Sequence, residues 1–421
     1  MIAKTSPMGW NSWDCYGAAV NEEQVRQNAL YMKEHLLEYG YEYVVVDIQW
    51  SEPTAKNHEY HPFADLCMDE YGRLIPAVER FPSAAGGAGF GPLAEYVHSL
   101  GLKFGIHIMR GIPRQAVAQN TPIFASKLTA REVAKTASIC NWNSDMYGVD
   151  PEKGGKAYYE SIFALYADWG VDFIKCDDIC RELPHEESEM IALSQALREC
   201  GRDMVLSLSP GPALPEKAEL YKQTANMWRI TDDFWDNWPQ LYDMFERAER
   251  WCIHTGPGSW PDADMLPVGA ILQDYGPDGW TKFTESEQIT MMTLWSIFRA
   301  PLMIGGELTK NDDFTLNLLT NRGILDMHKN ARHAHPVWRK KIAGNEYILW
   351  VAECAGGGHY IALFNAGEKN GSIEIDLESI EMEAYANHKA IELWGGSIES
   401  LSGGILKAEV AKHGAKAFIL K

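Results

Sequence analysis

Positive charge is scarce in this chain of 421 residues. Its 38 Lys and Arg face 58 Asp and Glu, a formal net charge of −20. A nucleic-acid partner needs a basic face to meet phosphate, and an anionic membrane surface needs the same, so neither is expected as a partner. No run approaches the ~18 apolar residues of a membrane span. Low-complexity tracts and solenoid repeats are missing. The eight cysteines, at 15, 67, 140, 176, 180, 200, 252 and 354, are scattered. A disulfide scaffold would be denser, and a zinc site would usually show paired Cys-x-x-Cys spacing. The first ten residues hold no apolar signal core, which with the scattered thiols reads as reduced cysteines and a cytoplasmic location. No Gly-x-x-x-x-Gly-Lys loop is present, and Gly86-Gly87-Ala88-Gly89 follows no predicted strand, so a nucleotide cradle is not expected. His58 and His61 are spaced like metal ligands but lie in a Pro-containing stretch with no helix to align them. The expectation is no metal and no cofactor. Oligomeric state stays open, a homo-oligomer included.

What is present is an ordinary globular balance, 46% hydrophobic and 23% charged, long enough for two or three domains. Trp (15) and Tyr (18) are abundant. Their flat apolar faces and polar edges suit sugar sites, and large cores use them as well.

The first three quarters alternate helix and strand. Asn21-Glu22-Glu23-Gln24 has the form of a capping box, followed by Val25, Ala29, Met32, Leu36 and Tyr39 on one helical face and a Gly40 stop. The apolar run Tyr43–Val46 then ends in Asp47, as a strand buried on both faces should. The unit recurs before Lys103–His107, Val171–Asp177, Met204–Ser209, Met227–Asp233, the Ser259–Trp260 region and Pro301–Ile304, the last behind a helix capped by Thr284 and Glu287. With Met8–Trp10 in front, eight strand slots favour a closed (β/α)8 TIM barrel over residues 1–330. From 331 to 421 the texture changes to short aromatic and β-branched segments between Gly-rich turns, which reads as a C-terminal antiparallel β-sandwich domain. The stretch 112–150 is long for one barrel connection and is read as a lid over the mouth.

Polar residues gather at the strand ends: Asp47, His107, Asp177, Ser209 and Asp233. In such barrels that face holds the active site. Two carboxylates across a barrel mouth, Asp177 and Asp233, suit glycoside cleavage, one attacking the anomeric carbon and the other protonating the departing oxygen. Lys175, two residues before Asp177, shares its strand face and would keep it ionised. The alternative is that these acids only satisfy loop amides.

Several segments together resemble glycoside hydrolase family 27. They are Met8-Gly9-Trp10-Asn11-Ser12-Trp13, Asp69-Glu70-Tyr71-Gly72-Arg73-Leu74, Phe81-Pro82-Ser83, Gly101-Leu102-Lys103-Phe104-Gly105-Ile106, Trp228-Arg229-x-x-x-Asp233 and Lys412-His413-Gly414. The family holds α-galactosidases, α-N-acetylgalactosaminidases and β-L-arabinopyranosidases, and the resemblance spans nearly the whole chain. It implies Asp177 as nucleophile, from a Lys-aromatic-Asp motif whose middle residue here is Cys176. It implies Asp233 as acid/base, four residues after Arg229, with Asp178 and Asp232 as structural neighbours. It also implies Lys175 and Arg229 on sugar hydroxyls and Trp13 against the apolar face of the sugar.

Three positions depart from the family pattern. Asp47-Ile48-Gln49-Trp50 stands where Asp-Asp-Cys-Trp is usual, so Ile48 replaces the acid that holds outer hydroxyls including O6. His107 stands at a usual Tyr, and Ser209 where a bulkier group is frequent near C2. The resemblance therefore implies a retaining exo-glycosidase whose partner is the terminal sugar of an oligosaccharide or glycoside. β-L-arabinopyranose, which has the ring stereochemistry of α-D-galactose without C6, is favoured over α-D-galactose and N-acetylgalactosamine. The non-enzyme alternative, a sugar-binding protein, would have no reason to keep both Asp177 and Asp233.

Overall fold

The computed structural model describes residues 1–181, 186–401 and 403–421. It is a (β/α)8 barrel followed by a C-terminal antiparallel β-sandwich. The eight barrel strands are Met8–Asn11, Tyr43–Val46, Lys103–Met109, Phe173–Asp177, Val205–Leu208, Met227–Arg229, Trp260–Asp262 and Leu302–Ile304. Each falls in one of the eight slots read from the sequence. Met8–Asn11, Tyr43–Val46 and Val205–Leu208 are buried at every residue, which is why they read as continuous apolar runs.

The chain divides into two compact units. The first comprises Met1–Asp233, Asp264–Trp280 and Leu302–Lys310. Its strands pair in parallel, each with its sequence neighbour, from Met8–Asn11 to Met227–Arg229. The Leu302–Ile304 strand returns to pair with the first, Met8 opposite Leu302 and Trp10 opposite Ile304. The Trp10 indole N–H adds a hydrogen bond to the Gly306 carbonyl at 2.9 Å. Gly9 has no side chain for a local reason: a Cβ there would lie 2.2 Å from the Tyr43 carbonyl oxygen. The helix Glu22–His35 starts from the capping box read in the sequence, with Asn21 and Gln24 bonding each other's backbone N–H reciprocally.

The 112–150 stretch is a folded insertion. The short strand Ile112–Pro113 and strand Ala134–Ile139 both pair antiparallel with Met146–Val149. Two short helices, Arg114–Gln119 and Ala130–Val133, fill the connection.

The second unit comprises Phe234–Ala263, Thr281–Pro301 and Asn311–Lys421. Its helix Glu285–Phe298 has the predicted Thr284–Glu287 capping box. The last helix, Arg322–Asn330, ends where strand Ala331–Ile342 begins. Six strands form one sheet, and Gly371–Asp376 pairs with Ile405–Val410 in a second. Period-two alternation is clear in the second sheet: Ile373, Ile375, Leu406, Ala408 and Val410 are buried with Leu349, Ile361, Leu363 and Phe418, while Glu374, Lys407 and Glu409 are exposed. Among the described residues, no helix is long and apolar enough to cross a membrane.

Candidate active site

Strand geometry sets the floor of the site. The third and fourth barrel strands run parallel with His107 opposite Lys175 and Met109 opposite Asp177. Residues two apart on a strand share a face, so Lys175 and Asp177 project together. The Lys175 ammonium donates to Asp47 Oδ2 at 2.8 Å, and the Asn11 amide donates to the same oxygen at 2.8 Å. The Ser12 hydroxyl accepts from the Asp47 backbone N–H at 2.9 Å. Asp177 accepts from His107 Nε2 at 2.9 Å and from the Ser209 hydroxyl at 2.7 Å. Because an ionised carboxylate only accepts, His107 carries its hydrogen on Nε2 in this contact.

Burial alone would raise the pKa of Asp177. The hydrogen bond and charge of His107 outweigh it, with Lys175 and Ser209 adding to the effect, and hold the carboxyl well below the usual carboxylate range. Asp47 is likewise held low: burial opposes, and Lys175, His107 and Asn11 prevail. Lys175 answers in kind, its charge kept against burial by Asp47 and Asp177. The floor is thus fixed in its charged form.

Asp233 stands in a different setting. Its side chain is 60% exposed, against 13% for Asp177. Arg229, buried at the end of the sixth strand, reaches Asp233 Oδ1 at 3.2 Å and Asp264 Oδ1 at 2.8 Å. One guanidinium therefore ties the loop after strand six to Asp264.

A cavity of about 450 Å³ is lined by Trp13, Asp47, Ile48, Lys175, Asp177 and Asp233, and further by His58, Tyr60, Trp142, Arg181, Pro210 and Asp232. Of the nine residues expected to act on the sugar, Trp13, Asp47, Ile48, Lys175, Asp177 and Asp233 line it directly. His107, Ser209 and Arg229 reach it through Asp177 and Asp233. Asp178 is turned away by a left-handed backbone (φ 62°), and its carboxylate meets the buried Arg110 at 2.9 Å. Asp232 differs from the expectation of a purely structural neighbour: it lines the cavity and pairs with Arg181 at 2.6 Å. Among the described residues, no three His, Cys, Asp or Glu side chains gather as metal ligands.

The family described as Alpha galactosidase A matches residues 5–152 and 147–330, and the Alpha galactosidase C-terminal beta sandwich domain matches 344–420. The chain belongs to glycoside hydrolase family 27. It resembles the GH27 β-L-arabinopyranosidase of Geobacillus stearothermophilus, with 52% identity and TM-score 0.95 over 100% of this chain and 97% of that one; a variant of that protein has been solved with arabinose. A Bacillus halodurans C-125 structure, provisionally described as an α-N-acetylgalactosaminidase, is 50% identical with TM-score 0.87, covering 99% of this chain and 97% of that one. The alpha-galactosidase of Cyamopsis tetragonoloba is 27% identical over 100% of this chain and 87% of its own length. The chain is accordingly a glycoside hydrolase, of a family that retains anomeric configuration.

Sequence reading of this GH27 chain missed several cavity residues. Tyr60 and Trp142 come from long loops with no periodicity to mark them. Tyr60 stacks nearly parallel on Trp13, centroids 5.9 Å apart at 13°, and Trp142 tilts against Tyr60 at 5.5 Å. His58, weighed above only as a metal ligand, bonds the Trp13 carbonyl at 2.8 Å and Asp274 Oδ2 at 2.9 Å, which braces the wall. Asp264 had no signal: it lies 35 residues beyond Arg229 in a loop position with φ 80°.

Proposed function

We propose that this glycoside hydrolase releases terminal β-L-arabinopyranosyl residues by double displacement. Asp177 is the nucleophile. It is held ionised, fixed by two hydrogen bonds, and aimed by the strand that carries it. Attack on the anomeric carbon breaks the glycosidic C–O bond and leaves the sugar esterified to Asp177. Asp233, on the solvent-facing side, gives a proton to the departing oxygen. It then takes one from the water that hydrolyses the ester. Arg229 holds Asp233 in place through the first step and the second. Asp47 and Lys175 offer an acceptor and a donor to ring hydroxyls on the floor.

The observation that carries the sugar preference is Ile48. It lines the cavity beside Asp47, at the position where the family resemblance implies an acid for outer hydroxyls including O6, and it offers apolar bulk in place of that acceptor. A hexose hydroxymethyl there loses a partner, at a cost of about 1.5–3 kcal/mol for a bond to a charged group. The arabinopyranosidase described for the 52% identical relative agrees with this reading. The alpha-galactosidases among more distant relatives support the second reading, α-D-galactoside hydrolysis. The test is kcat/KM on the nitrophenyl glycosides of β-L-arabinopyranose, α-D-galactose and α-N-acetylgalactosamine. The arabinopyranoside is expected to lead by about tenfold or more. A wide margin for the α-galactoside would replace the first reading with the second.

A further inference from the structure

The Asp177 carboxylate is aimed by the backbone behind it, and that backbone is not an ordinary strand end. Asp178, the next residue, has a left-handed φ of 62°. A non-glycine residue holds such a conformation only where its surroundings impose it. Two neighbours do so, one from each adjacent strand. Beyond the fifth strand, the Ser209 carbonyl accepts from the Ile179 N–H at 3.1 Å and from the Cys180 N–H at 3.3 Å. Beyond the third strand stands Arg110. Its backbone N–H donates to the Asp177 carbonyl at 3.0 Å, its Nε to the Asp178 carbonyl at 2.5 Å, and its Nη2 to Asp178 Oδ2 at 2.9 Å.

Arg110 is buried, and it is itself held. Its Nη1 donates to the Ser138 hydroxyl at 2.8 Å and to Glu189 Oε2 at 3.2 Å. Ser138 passes the bond on to Glu186 at 2.8 Å. Glu189 accepts in turn from the Val149 N–H at 3.1 Å and from the Tyr159 hydroxyl at 2.6 Å. Ser138 and Val149 belong to the 112–150 insertion. Gly148 leaves room for the contact, since a Cβ there would stand 2.7 Å from Arg110 Nη1 and 2.8 Å from Ser138 Oγ. A chain of bonds thus runs from the insertion, through one guanidinium, to the peptide that carries Asp177. Burying so many charges is unfavourable unless something is gained. His107 and Lys175 already keep Asp177 ionised, so the gain is not the charge of that carboxylate.

We propose that Arg110, braced by Ser138 of the insertion, is a positioning residue for the nucleophile: it fixes the Asp177–Asp178 peptide and through it the direction of the Asp177 carboxylate. The inference rests on Asp177 as nucleophile, and it gives the 112–150 insertion a role other than covering the mouth. A guanidinium suits this role. Its planar fork donates to a carbonyl and a carboxylate at once and leaves a third nitrogen for Ser138 and Glu189. An ammonium keeps the charge but is a single point, and it cannot serve all these directions from one place. Attack on the anomeric carbon tolerates little misplacement, with an error of about 1 Å costing on the order of 10²-fold in rate. Such a loss falls on the step in which Asp177 attacks and leaves ground-state binding of the sugar alone.

Arg110→Lys and Ser138→Ala separate aim from stability. The second removes only the brace and covers any folding defect of the first. kcat/KM is measured on the nitrophenyl glycosides of β-L-arabinopyranose and α-D-galactose, so an error in sugar preference leaves the result intact. Each value is divided by the folded fraction from near-ultraviolet circular dichroism. Competitive inhibition by free L-arabinose and D-galactose reports on the floor. Arg110→Lys is expected to lose about 10²-fold in kcat/KM per folded molecule and Ser138→Ala about 3–10-fold, with inhibition constants within about threefold of the wild type. A loss that the folded fraction accounts for, or one matched by weaker inhibition, is what a merely structural part would give, and it overturns the positioning role. Asp177→Ala is run beside them. An inactive Asp177→Ala with a fully active Arg110→Lys overturns the positioning role alone. Near-wild-type turnover by Asp177→Ala overturns the nucleophile reading and the positioning role with it.

Discussion

Asp177 and Asp178 are neighbours in the chain, yet they enter two opposite electrostatic regions. Asp177 joins the floor, where Lys175, His107 and Ser209 hold two carboxylates in their charged form. Asp178 joins a closed cluster around Arg110, which also meets Glu189 at 3.2 Å and Glu186 at 3.6 Å. Ser138 of the insertion accepts from Arg110 and donates to Glu186, each at 2.8 Å, and the Tyr159 hydroxyl donates to Glu189 at 2.6 Å. Here three acids share one buried cation, with Lys135 half-exposed at 3.7 Å from Glu186. Burial wins over Arg110, and the Glu189 pKa is pushed up to about 7. Where donors outnumber what burial demands, an acid is made permanently ionic; where they do not, a proton is retained. The first region can do chemistry, and the second holds the strand end that presents it: the Arg110 N–H donates to the Asp177 carbonyl at 3.0 Å.

The contrast can be broken from the reactive side first. Asp177→Ala is expected to cut turnover by at least ~10⁴-fold, since the proposed nucleophile is lost, and to lower Tm as well, since His107 Nε2 and the Ser209 hydroxyl lose their buried acceptor. Azide should partly rescue it as a glycosyl azide of inverted configuration. Near-wild-type turnover would remove Asp177 from the mechanism.

Arg110→Met attacks the closed region. Three acids then lose their central cation, and the expected penalty is about 3–5 kcal/mol in denaturant unfolding. A penalty below about 1 kcal/mol would mean that the cluster is already neutral.

Ile48→Asp sharpens the floor. A carboxylate there accepts from O6 and leaves room for C6. The ratio of α-galactoside to β-L-arabinopyranoside kcat/KM should rise on the order of 10-fold, from about 1.5 kcal/mol of recovered bonding. The adjacent Asp47 repels the new charge and limits the gain. An unchanged ratio would place the preference elsewhere in the cavity.

The smallest effect concerns Glu189. Its folded pKa lies above the ordinary glutamate value of about 4.5, so the folded state binds the extra proton between about pH 4.5 and 7. Stability from this group is complete below that window and is lost as pH rises through about 7. Glu189→Gln should therefore flatten the fall of Tm with pH across the window, and a parallel curve would assign the slope to another group.

The barrel was legible because its units repeat a complete local grammar. Asn21 with Gln24 and Thr284 with Glu287 announce helix starts, and buried runs such as Tyr43–Val46 announce strands by composition alone. The positions of Asp47, Asp177 and Lys175 followed from strand ends and period two. Tyr60 and Trp142 did not, because loop residues reach the cavity through tertiary bonds such as Gln49 to Asp145 that no spacing encodes. Asp178 and Asp232 show the same limit from the other side. Each neighbours a residue of the site, and a left-handed turn at Asp178 or a partner at Arg181 decides where its carboxylate goes.

The pairing of the first strand with the last has a consequence for synthesis. The bond from Trp10 to Gly306 joins positions 296 residues apart. Until the ribosome has released the Leu302–Ile304 segment, the Met8–Asn11 strand has one edge with no partner and a sheet that cannot close. The strands carrying Asp47, Lys175 and Asp177 emerge well before that moment. A nascent chain stalled between residues 240 and 300 would thus hold the floor of the site on an open, adhesive sheet. Such a chain should engage chaperones that one completed past Gly306 no longer needs.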